Sequence, residues 1–231
     1  MCEEEYSEFT PVEEVDLQEL VDGPDFGGMG WPCGRSVWDW VMNAGDDKSE
    51  VWRLENATSG CGSLALGSQI YQDVEFDGSF TNLGGDDDWI GIVFGYQDIG
   101  HFYIVSAPFV GETHTTPTPW RLTKVSSETG NTSDEMMKAI MTDEDVEGQT
   151  TILLKPTDQG WQRDKINSWR VVHRPSVNYL AISVEVDSAP QWSHEWEYTF
   201  SGHQQTGRVG LFTFSQQAKF LQLSVKELCQ M

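Results

Sequence analysis

The chain has 231 residues, and its 14 Lys and Arg stand against 37 Asp and Glu, a formal net charge of −23. That length suits one large all-β domain with a real core, while a field of that sign repels phosphate backbones and anionic lipid surfaces, which argues against nucleic-acid binding and a basic membrane patch. No stretch approaches the roughly 18 consecutive apolar residues of a membrane span, so no membrane insertion is expected.

Residues 1–25 hold ten acidic and no basic side chains, and "DGPDFGGMGWPCG" follows, dense in Gly and Pro. This composition predicts an acidic, poorly ordered leader over 1–35 and a β domain over 36–231. The opening "MCEEEYSEFTPVEEVDLQEL" lacks the basic and apolar regions of a signal peptide. From Val37 onward, short apolar or alternating segments are bounded by Gly, Asn, Asp and Pro, the pattern of an antiparallel β protein. Strands are predicted near 51–55, 63–66, 70–81, 88–96, 101–106, 120–126, 150–155, 167–173, 178–186, 196–200, 207–214 and 219–227. Between the seventh of these and its predecessor lies one short helix, "TSDEMMKAIM", where Thr132 and Glu135 form a capping box and the methionines serve as core filler. The final two strands flank Gln216, Gln217 and Ala218 as a hairpin, and "FLQLSVKEL" alternates so that one face meets a core and the other water. With no repeat of 20 to 50 residues, a single β-sandwich is the economical architecture.

The residues with the sharpest chemistry are Asp86, Asp87 and Asp88, directly ahead of "WIGIVFGYQDIGHFYIVS". Three adjacent carboxylates repel one another, and no Lys or Arg lies between Leu54 and Trp120. A hard cation would neutralise them: Ca²⁺ takes six to eight oxygens, which a loop such as "TNLGGDDDW" supplies. The bland alternative is a solvated strand end, and the spacing is not that of an EF-hand loop. Glycoside hydrolysis is the enzymatic rival, because Glu75 and Asp77 share one strand face at i and i+2. The next positions for a third acid are Ser79 and Phe80, however, and Glu195 with Glu197 has the same spacing without a continuation. His101, His114, His173, His194 and His203 show neither HExxH nor HxH spacing, and no GxSxG surrounds a serine. His173 reads as a hydrogen-bonded structural histidine. Trp89, Trp169 and Tyr179 read as core or sheet-face residues, while Trp120, Trp161 and Trp192 border loops and are candidates for exposure. Cys2, Cys33, Cys61 and Cys229 are too widely spaced for a zinc knuckle and fit either free thiols or one or two disulfides. Sequons at Asn56 and Asn131 are glycosylation acceptors only in a secretory setting.

"VEFDGSF", "DDDWIGIVFGYQDIGHFYIVS", "SWRVVHRPSVNYLAISV" and "GRVGLFTFSQQ" resemble, in order and at comparable spacing, signature blocks of the C-terminal, lectin-like domain of the thrombospondins; "WVMNAG" and "VSSETG" resemble two weaker ones. The resemblance runs from about Trp38 to Cys229. It implies a concanavalin A-like antiparallel β-sandwich (jelly roll), calcium binding and a secreted, extracellular-matrix role in adhesion rather than catalysis, with an extracellular protein or glycan as partner. It also implies that Asp86, Asp87 and Asp88 are the metal ligands and that Cys33 pairs with Cys229. The chain departs from the family in lacking long Asp-rich calcium repeats. "HFYIVSAPF" matches a receptor-contacting family segment only in its first half, so receptor binding is not carried over.

Overall fold

The computed structural model describes residues 21–26, 37–42, 50–55, 62–82, 89–108, 120–127, 139–141, 144–155, 160–187, 193–202, 206–214 and 218–228. In chain order its strands are β1 (Val21–Phe26), β2 (Val37–Met42), β3 (Glu50–Glu55), β4 (Gly62–Leu66), β5 (Val74–Asn82), β6 (Trp89–Asp98) and β7 (His101–Pro108). There follow β8 (Arg121–Ser126), β9 (Thr150–Leu154), β10 (Asn167–Arg174), β11 (Tyr179–Val186), β12 (His194–Thr199), β13 (Arg208–Phe214) and β14 (Ala218–Glu227). They pair antiparallel into two seven-stranded sheets, one in the order β1-β4-β13-β6-β7-β8-β9 and the other β12-β11-β10-β5-β14-β3-β2.

All twelve predicted strands are present, and two were not anticipated. β1 lies inside the stretch expected to be an acidic leader, where it pairs with β4. β2 pairs with β3 over Val37–Met42. The predicted strand at 70–81 begins only at Val74, because Tyr71 is spent on an isolated bridge to Gly207. Of the short helix, residues 139–141 are helical; Thr132, Glu135, Met136 and Met137 lie outside the described residues.

The two sheets differ in how they are buried, and the difference explains their sequences. In the first sheet Ile90, Ile92 and Phe94 of β6, with Tyr103 and Val105 of β7, face the second sheet and meet Phe76, Phe80, Trp169, Val171, Ile182 and Phe220 in the central core. The alternate residues Trp89, Val93, Phe102, Ile104, Val125 and Phe212 form a second cluster on the opposite face, together with Ile140 of the helical turn. Burial on both faces is why β6 and β7 read as continuous apolar runs. Among the described residues the second sheet is covered on one face, so β10 alternates: Trp169, Val171 and His173 are buried while Arg170 is exposed and Val172 half-buried.

Phe80 is the hub of the central core, with its ring centroid 6.0–6.4 Å from those of Trp120, Trp161, Trp169 and Phe220. Trp120 and Trp161, expected as candidates for loop exposure, are instead 2% and 0% exposed. Loop position misled here, because both rings turn inward to fill the space beside Phe80; Trp192 lies outside the described residues. Gly78 makes room for this packing, since a Cβ there would lie 2.7 Å from Trp169 and 2.5 Å from Leu223.

Candidate functional site

Two acidic regions carry the sequence-level candidates. The first is the connection between β5 and β6. Asp86, Asp87 and Asp88 lie outside the described residues, but both ends of their segment are fixed. At the β5 end, Asn82 is buried and its side-chain oxygen accepts the Asp164 N–H at 2.8 Å. Asp164 sits at φ 57°, a left-handed position that suits Asp in a tight loop. That loop is clamped from within by Asn167, 2% exposed, which accepts the Gln162 N–H at 2.8 Å and donates to the Gln162 and Lys165 carbonyls at 2.9 and 3.1 Å. Trp161, fully buried against Phe80, anchors its start.

At the β6 end, Trp89 is buried in the second cluster, and the Arg121 guanidinium lies over its ring at 4.2 Å. Arg121 is itself only 1% exposed and donates to the Met141 carbonyl at 2.9 Å. A desolvated arginine on an indole face is an attractive cation–π contact. Arg121 is the residue that sequence reasoning missed: the stretch searched for a neutralising cation stopped at Trp120. The antiparallel pairing of β7 with both β6 and β8 returns the next residue to the start of β6. Among the described residues no group of three or more His, Cys, Asp or Glu is placed to hold a metal.

The second region is the outer face of the second sheet. Cross-strand register places Asp77, Arg170, Ser183 and Glu195 in one row, and Glu75, Val172, Ala181 and Glu197 in the next. The sequence pairs Glu75/Asp77 and Glu195/Glu197 therefore share a face, separated by three inter-strand spacings, or about 14 Å. Arg170 donates to Glu75 at 2.8 Å, and its pKa is raised chiefly by that hydrogen bond. Asp77 is pushed above the usual carboxylate range by burial and by the charge of Glu75, against the pull of Arg170 and a Ser224 hydrogen bond. The positions where a third acid would stand hold Ser79, whose hydroxyl lies 3.4 Å from the Leu221 carbonyl, and Phe80, the core hub. Carboxylates that flank a glycosidic bond lie roughly 5 to 9.5 Å apart, closer than the strand separation of the two pairs.

The histidines divide among structural roles. His173 is 1% exposed, with Phe94, Tyr103 and Phe200 rings at 4.9, 5.6 and 6.3 Å. His101 opens β7 with Nδ1 at 2.8 Å from Asp98 at the end of β6, and His194 stacks on Trp196 at 5.7 Å. His114 and His203, like the four cysteines and Asn56 and Asn131, lie outside the described residues.

The model of the thrombospondin C-terminal region matches residues 38–230. The chain belongs to the thrombospondin C-terminal region family. Among individual relatives of this thrombospondin-type chain, human cartilage oligomeric matrix protein is 32% identical over 187 residues, covering 77% of this chain and 24% of that protein. Mouse thrombospondin-2 is 32% identical over 194 residues, covering 78% of this chain and 15% of that protein. The chain thus spans a quarter or less of the length of these relatives. Solved structures with the same fold include the carbohydrate-binding module CBM66 from Bacillus subtilis, at TM-score 0.53 and 11% identity over 87% of this chain and 97% of that one. The exoplasmic/lumenal domain of VIP36 in its form bound to Ca²⁺ and Man3GlcNAc aligns at TM-score 0.55 and 12% identity, over 90% of this chain and 89% of that one. At such identities they establish a shared lectin-like sandwich and nothing about the site. No helix among the described residues is long and apolar enough to cross a membrane.

Proposed function

We infer that this thrombospondin-type chain is a non-enzymatic recognition and adhesion module of the extracellular matrix, whose acidic β5–β6 connection binds Ca²⁺ through Asp86, Asp87 and Asp88. Family membership over residues 38–230 is the observation that carries the reading. The bracing of the connection supports it: a metal loop works best when its ends are set before the ion arrives, and here Asn82 and Trp89 are held by the 161–167 loop and by Arg121. The donor set also fits, since three carboxylates are hard oxygen ligands of the type Ca²⁺ prefers. Asn82 serves as a brace, its side-chain oxygen accepting the Asp164 N–H. When bound, the ion would cancel the repulsion among the aspartates.

The partner class is an extracellular protein or glycan. A carbohydrate-active enzyme on the same sandwich is disfavoured by the absent third acid after Asp77 and by the three-strand separation of the Glu75/Asp77 and Glu195/Glu197 pairs. Thermal melting in excess calcium and in EDTA tests the metal reading. EDTA is expected to lower the midpoint, and replacing Asp86, Asp87 and Asp88 with Asn to abolish the calcium-dependent difference. Superimposable wild-type curves would sink it.

A further inference from the structure

Strand β12 ends the second sheet, and among the described residues β11 is its sole strand partner. Which of its backbone groups are left over follows from a single hydrogen bond. The Phe200 N–H donates to the Asn178 carbonyl at 3.0 Å, and Phe200 stands directly opposite Asn178 in the register that pairs Tyr179 with Thr199. In an antiparallel ladder, hydrogen-bonded and non-hydrogen-bonded pairs alternate. Tyr198, Trp196 and His194 therefore direct their backbone groups toward β11. Glu195, Glu197 and Thr199 direct theirs away from the sheet.

The same three residues are exposed, while His194, Trp196 and Tyr198 are half-buried. Trp196 and Tyr198 pack against the central core. The outward backbone groups thus coincide with the outward carboxylates. Glu195 and Glu197 stand beside small neighbours, Ser183 and Ala181, and the nearby Arg170 is already bound to Glu75. Glu197 accepts the Tyr179 hydroxyl at 2.8 Å, which fixes its direction on the face.

We propose that β12 is a docking edge for an extended, basic segment of a partner protein, which adds to the second sheet as a further antiparallel strand. Main-chain hydrogen bonds form opposite Glu195, Glu197 and Thr199, and side chains at every second position of the incoming strand lie beside the two glutamates. Lysine or arginine at those positions matches the edge in charge, and a net charge of −23 favours approach of such a segment. This deepens the recognition reading, on which it rests, by naming a partner class. It makes no use of the calcium loop, so a normal calcium-dependent melting shift with no peptide binding would overturn this edge alone.

The test uses a fluorescent seven-residue peptide alternating Lys and Val, and a control of the same composition with its lysines contiguous, titrated by anisotropy against the full chain. The alternating peptide is expected to bind in a saturable, salt-weakened manner and the control several-fold less tightly. Glu197→Gln and Glu197→Pro remove the same charge, but only the proline also removes the outward N–H, and it leaves the β11 ladder intact. Glu197→Pro should lose about five- to tenfold more affinity than Glu197→Gln, the share of one ordinary hydrogen bond. Thr199→Pro, which changes no charge, should lose a similar factor. If Glu197→Pro proves unfolded by circular dichroism, Thr199→Pro carries the comparison. Equal binding of the two peptides, equal affinities of the Gln and Pro variants, or a Thr199→Pro variant that binds like wild type would overturn the proposal. Self-association of the chain abolished by Thr199→Pro would also overturn it, by giving the edge to a second copy.

Discussion

Asp73 illustrates how one buried carboxylate sets a turn. It is 1% exposed, accepts the Ser176 N–H at 3.1 Å and the Ser176 hydroxyl, and its own carbonyl receives the Leu228 N–H at 2.9 Å. The turn it holds, Pro175–Val177 followed by Asn178 at φ 56°, joins β10 to β11. Asp73→Ala should destabilise the fold by about 2 kcal/mol, because two donors lose a charged acceptor; urea denaturation of variant and wild type measures it, with Asp73→Asn expected to recover part of the loss. Asp77 behaves oppositely. Burial, then the charge of Glu75, raises its pKa, so the folded chain holds that proton more tightly than the unfolded one. Ionised Asp77 therefore opposes folding at neutral pH, and the penalty vanishes as pH falls through its raised pKa. Asp77→Asn should be no less stable than wild type at pH 7, and wild type should gain on the variant as the solution is acidified; a constant deficit of the variant across that range would contradict this. Neither role is visible in sequence. Nothing in "YQDVEFDGSF" separates an aspartate that caps a distant turn from one that stands half-buried beside an arginine.

At the scale of elements, the strands were legible where hydrophobic pattern and turn residues agreed. "WIGIVFGY" and "HFYIVSAP" announced doubly buried strands, and "NSWRVVHR" a half-buried one. β1 was hidden because "VDGPDF" contains Gly, Pro and two Asp, residues disfavoured in strands, and its pairing with β4 overrides that local preference. β6 also carries a bulge that pattern alone does not reveal: its register slips between Phe94 and Asp98, with Gly95 at φ 60°. Facing the bulge, Gly207 approaches so closely that a Cβ would lie 2.4 Å from the Tyr96 carbonyl. Gly207→Ala must push two backbones apart, so it should lower the melting temperature by several degrees, whereas Gly202→Ala, with open space around it, should leave it unchanged. Equal midpoints for the two variants would show that the contact bears no strain.

For the whole molecule, the sandwich, its antiparallel pairing and its family were readable from the order of sequence blocks, since each block is a strand or hairpin whose neighbours are fixed by the same register. The environment of the acidic connection was not. Arg121, which lies over the Trp89 ring at its far end, and its braces, Asn82 and Asn167, come from elements distant in sequence that converge through pairing across the first sheet and packing at the end of the second. The core that fixes those braces gathers on Phe80, and Phe80→Ala should cost about 3 to 5 kcal/mol by opening a cavity among four aromatic rings. Denaturant melts check that loss. The central claim is that Asp86, Asp87 and Asp88 bind calcium. Isothermal titration of the calcium-stripped chain with calcium chloride tests it most directly: the account predicts a saturable heat that disappears when the three aspartates are replaced by asparagine, and an absent heat, or one unchanged in that variant, would contradict it.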